Sequence, residues 1–248
     1  MKHARALCTG ALICAPFFLL PASAMAQDLS FNLSSDGSLS GRTIQLMLLI
    51  TVLSLAPGIA ITITCFPFLV TVLSILRQAI GLQQSPPNML IVSLALFLTY
   101  FVMEPVFSDA WQSGINPLLN EEIEPEAAIE RSLMPFRKFM AARVESETFL
   151  SLAELRPGTA GAVLSAEAPI SVLVPSFLLS EISRAFQIGF LVFLPFLIID
   201  LVVAAILMSM GMMMVPPAMV ALPFKLAFFV VSDGWSLIAT ALVRSYSS

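Results

Sequence analysis

Charged residues are scarce in this sequence. They make up 11% of its 248 residues, whereas 58% are hydrophobic. An ordinary soluble domain carries about 25% charged residues. No cytosolic fold of this length can hide so much apolar surface from water. The composition therefore predicts an integral membrane protein.

Histidine and cysteine are almost absent. The only histidine is His3, and two of the three cysteines are Cys8 and Cys14. All three lie in a stretch with a basic start, a short apolar run and small residues in A-x-A spacing, which predicts a cleaved signal peptide over residues 1–26. The alternative is an uncleaved anchor helix. A mature chain left with Cys65 alone has no intrachain disulfide, none of the usual zinc ligands and no Ser-His-Asp or Cys-His centre. We therefore expect no enzyme activity, metal or cofactor.

Positive charge is also in short supply. Twelve Lys and Arg face sixteen Asp and Glu, for a formal net charge of −4. Removal of the signal peptide takes Lys2 and Arg5 away and makes the mature chain more negative. This balance gives no indication of a nucleic-acid partner.

The apolar residues fall into two blocks. After a polar lead at 27–43, the chain is apolar over 44–107 and again over 175–248. Each block contains a turn, polar at 76–88 and rich in methionine at 209–217, between stretches long enough to reach across a bilayer. We predict an all-α membrane protein with two hydrophobic helical hairpins.

The first helix of the first hairpin is too long for one straight crossing. As a single helix, residues 44–76 would reach about 50 Å, against about 30 Å for the hydrocarbon core. Pro57-Gly58 interrupts the run, and the part before it is too short to span alone. We predict one long helix kinked at Pro57-Gly58, with nearby threonine and serine hydroxyls bonding backbone groups at the break or neighbouring helices.

Residues 108–174 contrast with both apolar blocks because they are rich in charge, mostly acidic. Apolar residues recur there at helical spacing, as on one face of an amphipathic helix, at Ile129, Leu133, Phe136, Met140 and Val144. We predict a water-exposed helical domain inserted between the hairpins. A cleaved signal peptide followed by two crossings places this domain outside the cytoplasm.

Two charges stand inside the second apolar block. Asp200 lies in a run of about twenty apolar residues, where a carboxylate at membrane depth costs at least about 2.5 kcal/mol and so should face protein or water. Lys225 lies on the following arm, at a similar distance from the turn. We predict an ion pair between them, within the hairpin or between neighbouring copies. A proton relay through Asp200 is the alternative.

A second pair of charges precedes that run. Glu181 and Arg184 stand three residues apart in a helical stretch, which predicts a pair at the surface or in a contact between subunits.

Six methionines fall within twelve residues at the second turn: Met208, Met210, Met212, Met213, Met214 and Met219. Unbranched, polarizable side chains can repack around changing shapes, so the cluster is either a flexible seal or ordinary packing. Thioethers also bind Cu(I), but no histidine or cysteine accompanies them, which makes a copper site the weakest interpretation.

Five stretches resemble the FliP family of flagellar biosynthetic proteins and their virulence-secretion relatives. They are LRQAIGLQQSPPN (76–88), PSFLLSEISRAFQIGF (175–190), PFLIIDLVV (195–203), SMGMMMVPP (209–217) and LPFKLAFFVVSDGWSL (222–237). The order of signal peptide, hairpin, inserted domain and hairpin also follows that family.

The resemblance implies a pore-forming core subunit of the flagellar type III protein export gate, in the bacterial inner membrane and the flagellar basal body. Such a gate passes unfolded flagellar proteins. The resemblance implies that five copies of this chain assemble with FliQ and FliR. The inserted domain is then periplasmic, and Met212, Met213 and Met214 form a gasket around the pore. The family's hairpins pack on one another, largely above the membrane plane.

A small-solute or ion transporter that uses Asp200 for its substrate is the alternative function. Transporters of the usual repeat type show matched halves with helices broken at corresponding places. The stretches 44–107 and 188–243 share little beyond hydrophobicity, which favours the gate.

Overall fold

The computed structural model describes residues 39–81, 86–212 and 214–247. Within those ranges the chain is helical and contains no strand, which confirms the predicted all-α class. The predicted signal peptide, residues 27–38 of the polar lead and Met213 lie outside them. In chain order the helices are α1 Leu39–Thr62, α2 Phe66–Ile80, α3 Asn88–Ala110, α4 Asn116–Leu119, α5 Pro125–Arg143, α6 Ser146–Glu154, α7 Ile170–Ser209, α8 Pro217–Val231 and α9 Gly234–Ser247, with a π-helical turn Trp111–Ile115 between α3 and α4.

The chain divides into two units, residues 1–50 and 51–248. The described part of the first unit belongs to α1, and its large apolar side chains, such as Met47 and Leu48, are more than half exposed. The second unit contains the other helices and the apolar clusters that make up the core.

The first break in the apolar run lies at residues 63–65. Helix α1 continues through Pro57-Gly58, so the predicted position of the interruption is wrong. The hydroxyls of Thr62 and Thr64 each donate to a carbonyl three residues back, at 2.8 and 2.9 Å. Pro67 lies in the first turn of α2, where a backbone N–H has no partner within the helix, so proline loses no hydrogen bond there. Threonine caps one helix and proline starts the next, so the chain bends between them.

Helix α2 is the centre of the larger core. Its residues Phe68, Leu69, Val72 and Leu76 are completely buried, and it packs most extensively against α7, then against α3. The approach to α7 is close because Gly189 faces α2: a Cβ there would lie 2.4 Å from Cδ1 of Ile75.

A second cluster joins α5 and α6 to the first turns of α7. It contains Met140, Val144, Phe149, Leu173 and Phe177. Only the C-terminal part of the predicted amphipathic face is therefore buried. At the other end of α5, Ile129 is 62% and Leu133 36% exposed.

Membrane-capable segments number two to four among the described residues. Asn88–Leu119 and Ile170–Ser209 are each long and apolar enough to cross a bilayer. Two further pairs of helices pass the same test together although each is bent at a short break: the end of α1 with α2, and α8 with α9, the latter bent by 61°.

The break between α8 and α9 falls at the step Asp233-Gly234-Trp235. Asp233 has a left-handed backbone with a φ of +48°, which ends α8. The Trp235 ring then packs edge-on against Phe229 with centroids 5.3 Å apart. The structure therefore has a helix break at this step.

The outer faces of the membrane-capable helices are apolar. On α7, Phe186, Phe190, Leu191, Ile198 and Leu201 are 58–63% exposed, and on α3 Phe97 is 74% exposed. Contiguous apolar surface of this kind marks contact with lipid or with other protein chains.

Substitution of Gly114 tests the packing of the π-helical turn on α5. A Cβ at Gly114 would lie 2.0 Å from Oγ of Ser132 and 2.6 Å from the carbonyl oxygen of Ala128, which is backbone and cannot swing away. We expect Gly114→Ala to lower the free energy of unfolding by about 1–3 kcal/mol, as overpacking does. The measurement is thermal unfolding of the purified protein in detergent. Gly58→Ala is the matched control, since its Cβ meets nothing within 4 Å. Equal Tm values for the two variants would contradict the described packing.

Candidate functional site

The ammonium group of Lys225 joins three helices. Its Nζ lies 2.6 Å from Oδ2 of Asp200 on α7 and donates a second hydrogen bond, at 3.1 Å, to the carbonyl of Ala79 in the last turn of α2. Lys225 is 6% exposed, whereas the Asp200 side chain is 33% exposed. The two charges that the sequence predicted as a pair therefore lie in contact within one chain.

Local structure explains why a lysine suits this place. Helix α2 ends at Gly81, whose φ of +87° is the left-handed conformation of a helix stop. The last carbonyls of a helix lack intrahelical partners and carry the negative end of the helix dipole. Lys225 thus lies between a carboxylate and a helix C-terminus, both of which favour a positive charge. Oδ1 of Asp200 is buried without a partner among the described residues.

A second buried charge cluster surrounds Glu181. Its carboxylate is 1% exposed and accepts a bond from Nε of Arg143, at 3.3 Å, and another from the hydroxyl of Tyr246. Nη1 of Arg143 donates to the carbonyl of Ser245 at 2.7 Å, and its guanidinium lies 3.9 Å from the centroid of the Tyr246 ring. This cluster connects the end of α5, the first third of α7 and the end of α9.

The predicted pairing of Glu181 with Arg184 is wrong. The buried face of α7 contains Phe177, Glu181 and Ala185 at four-residue spacing. Arg184 lies beside that face and is exposed. A buried carboxylate needs a partner at the same depth, and Arg143 supplies it.

Arg143 and Tyr246 are the residues that sequence reasoning missed. The signal for Glu181 was available, because a carboxylate in line with Phe177 and Ala185 on an apolar face must be paired. Its partners were not, since they lie 38 and 65 residues away along the chain and on other helices.

The methionine turn follows the end of α7. Gly211 turns the chain with a φ of +74°, and Pro217 starts α8 after Pro216. Met212 is 42% exposed and Met214 98% exposed, while Met213 lies outside the described residues. The turn therefore presents thioether side chains outward at the tip of two helices.

An apolar groove of about 520 Å³ runs up from this turn between α7 and α8. Met210 and Met212 line one end, and Ile198 and Phe224 line the other. No group of three or more His, Cys, Asp or Glu that could hold a metal occurs in the described part of the chain.

These observations define a class of protein. It is an all-helical membrane protein in which buried charges join helices that are distant in sequence, while the apolar outer faces stay available for lipid or for other chains.

Comparison with known proteins gives the family. A model of the FliP family matches residues 49–242. Flagellar biosynthetic protein FliP of Caulobacter vibrioides is 50% identical over 241 residues, which cover 95% of this chain and 88% of that protein. The proteins of the same name from Agrobacterium fabrum and Bacillus subtilis are 47% identical over 236 residues and 43% identical over 217 residues; the matches cover 92% and 86% of this chain and 95% and 96% of those proteins. The chain belongs to the FliP family, as the sequence motifs indicated.

Removal of the Lys225 charge tests the first cluster. Lys225→Met keeps the aliphatic length but strands Asp200, so we expect the free energy of unfolding to fall by about 3 kcal/mol, the low end for a broken buried pair because Asp200 is partly exposed. The double variant Asp200→Asn, Lys225→Met leaves no stranded charge and should be more stable than Lys225→Met. Exchange of the two charges should recover only part, because the bond to Ala79 is lost. Chemical unfolding in detergent measures all three.

Lys138→Met is the control for that series, since Lys138 is exposed on α5. Its effect should stay within about 0.5 kcal/mol. A double variant no more stable than Lys225→Met would contradict a direct interaction between the two charges.

Substitution of two arginines distinguishes the observed partner of Glu181, Arg143, from the predicted partner, Arg184. Arg143→Met strands a fully buried carboxylate and should cost about 3–5 kcal/mol. Arg184→Met removes an exposed charge and should change stability by less than about 0.5 kcal/mol. Tyr246→Phe loses one hydrogen bond to a charged group, about 1.5–3 kcal/mol, but keeps the ring. Unfolding of the three purified variants gives the order, and a larger loss for Arg184→Met would refute the pairing with Arg143.

Proposed function

We propose that this protein is a pore-forming core subunit of the flagellar type III protein export gate. In this role it passes unfolded flagellar proteins across the bacterial inner membrane, as part of the flagellar basal body. The observation that carries the proposal is the FliP family match over residues 49–242, together with relatives that are named flagellar biosynthetic proteins. The all-helical fold with two to four membrane-capable segments supports it.

The proposed assembly contains five copies of this chain with FliQ and FliR. The resemblance to the family supplies the number and the partners. The surface supports the need for partners, because the exposed apolar side chains extend along α3, α7 and α8, far beyond scattered single residues. Hairpins that pack on one another would cover these faces with protein, largely above the membrane plane.

The proposed organisation follows the sequence. Residues 1–26 are a signal peptide and 27–43 a polar lead, the hairpins are 44–107 and 175–248, and 108–174 form the periplasmic helical domain. The exposed charges of α5, such as Glu126 and Lys138, support an aqueous location for that domain. The bonds of Arg143 to Glu181 and to the Ser245 carbonyl would hold it against the second hairpin.

The proposed gasket consists of Met212, Met213 and Met214. The position of the turn at the tip of α7 and α8 and the exposure of Met214 support a role in which copies of the turn meet around a common axis. Flexible thioether side chains can close such an opening and repack when a polypeptide enters. No fixed shape complementarity is required.

The alternative transporter has one observation in its favour: Oδ1 of Asp200 is buried and has no partner within the described ranges. The other oxygen is bonded to Lys225, which also holds the end of α2. A carboxylate that takes part in a contact between three helices supports a structural role for Asp200 more than a substrate site. We therefore propose that Asp200 and Lys225 act as a buried charge pair, and that the exposed Arg184 is the candidate for a subunit contact.

Replacement of the three turn methionines tests the gate. Met212→Ala, Met213→Ala and Met214→Ala together remove the apolar atoms that fill the opening but leave Pro216, Pro217 and both helix ends intact. We expect a complex that assembles but leaks, measured as ion or small-solute passage across cells with assembly followed on native gels.

The matched control replaces with alanine three exposed methionines outside the proposed gasket, Met89, Met208 and Met219, which are 80%, 61% and 73% exposed. This variant should stay sealed. A triple turn variant that assembles and remains as tight as the parent would show that these methionines are ordinary packing.

A further inference from the structure

The exposed face of α9 differs from the apolar outer faces described above for α3 and α7. It borders an open cavity of about 620 Å³ whose polar lining includes Asp233, Ser236, Thr240 and Arg244. Asp233 immediately precedes α9, and the other three positions lie on the helix at four-residue spacing, so the polar side chains follow one line along it, the polar stripe. Leu237 is the only large apolar side chain among the residues that line the cavity. The last helix of an apolar hairpin therefore presents a row of polar side chains.

The direction of this stripe is fixed by contacts on the opposite side of α9. Leu242 is 2% exposed, and the Tyr246 ring packs edge-on against Phe68 with centroids 5.4 Å apart. The Tyr246 hydroxyl bonds to Glu181, and Trp235 packs on Phe229. Rotation of α9 to hide the polar stripe would break all of these contacts.

The hydroxyl groups on the stripe differ in their hydrogen bonding from other hydroxyl groups in the apolar helices. Ser74, Thr99 and Ser176 each donate to the carbonyl four residues back, at 2.6–2.7 Å. The hydroxyls of Ser236 and Thr240 make no hydrogen bond to any part of the chain that is described. Hydroxyl groups without a partner are costly in lipid, so these two need water or a polar neighbour.

The other outer faces are suited to lipid or to apolar protein. On α7, Leu201 and Val202 are 62% and 52% exposed, and on α8 Val231 is 88% exposed. The described outer surface thus has broad apolar regions and narrower polar ones, among them the stripe at α9 and the exposed Arg184 and Gln187 of α7. Only the polar regions are matched to water.

We propose that the Asp233–Arg244 stripe of α9 forms part of the water-lined wall of the passage through which the exported polypeptide moves. This inference rests on the proposed function and names the surface that an unfolded chain would pass. Small hydroxyl side chains exchange hydrogen bonds with water and with any peptide backbone, and they offer no deep apolar pocket that would hold one sequence. Such a wall suits a substrate that must keep moving.

Cysteine accessibility tests the proposal in the full-length protein within its membrane complex. The parent is a natural background, because Cys65 is completely buried and Cys8 and Cys14 lie in the predicted signal peptide. Ser236→Cys and Thr240→Cys are compared with Leu201→Cys and Val202→Cys. The probe is a negatively charged methanethiosulfonate, which reacts with the thiolate and therefore requires water. We expect reaction at 236 and 240 to be at least about tenfold faster than at 201 and 202.

A second arm separates the passage wall from any other wet surface. An export substrate fused to a tightly folded domain is arrested in the gate, and the reaction rates are measured again. Rates at 236 and 240 should fall, and so should the rate at Met212→Cys in the proposed gasket. Glu126→Cys, on the exposed first turn of α5, should react as before.

Each result decides the proposal. Slow reaction at 236 and 240 before arrest would overturn it, because the stripe would then face lipid or another subunit. Fast reaction that the substrate leaves unchanged, with Met212→Cys protected, would overturn it and leave the proposed function standing. Protection at none of the three positions would overturn both, and protection at all three would support both.

Discussion

The carboxylate of Glu181 is the group on which the arrangement of the second unit depends. It lies almost fully buried in the first third of the longest helix, where an unpaired charge would be untenable. Arg143 and Tyr246 satisfy it from the ends of two other helices, and Arg143 also bonds the Ser245 carbonyl. Apolar packing alone would let these helices slide, since one apolar contact is much like the next. A buried charge with directional partners permits one register.

The same logic operates at the pair of Lys225 and Asp200, whose carboxylate lies nineteen residues further along α7 than Glu181. There the cation is the buried partner, and Asp200 and the Ala79 carbonyl are its acceptors. The two clusters fix the long helix at two depths and tie it to both preceding and following helices. Between and around them, the packing surface is made of interchangeable aliphatic and aromatic side chains. In a chain with so few charges, each buried one therefore specifies structure out of proportion to its number.

The pair Asp200 and Lys225 was predictable because a hairpin turn with a fixed rise per residue sets which positions of the two arms lie level. The partners of Glu181 were not, because no local rule links residues 38 and 65 positions apart. The general effect of proline predicted an interruption of the first helix at Pro57-Gly58. The helix instead ends five residues after Pro57, where threonine hydroxyls bond the last carbonyls. On α5 the periodicity of apolar residues was real, but Ile129 and Leu133 have no buried position, since the second cluster ends short of them.

The 40 residues of α7 have a mechanical consequence. At about 1.5 Å per residue, the helix extends roughly 42 Å from Glu181 to its end at Ser209. If the Glu181 cluster acts as a fulcrum, the methionine turn lies at the end of a long lever arm. A tilt of about five degrees would then displace the tip by about 4 Å, close to the width of a side chain. A small rotation of the helix at Glu181 would thus give a larger displacement at the turn, and the contact of Asp200 with Lys225, about 28 Å from Glu181, would have to move with it.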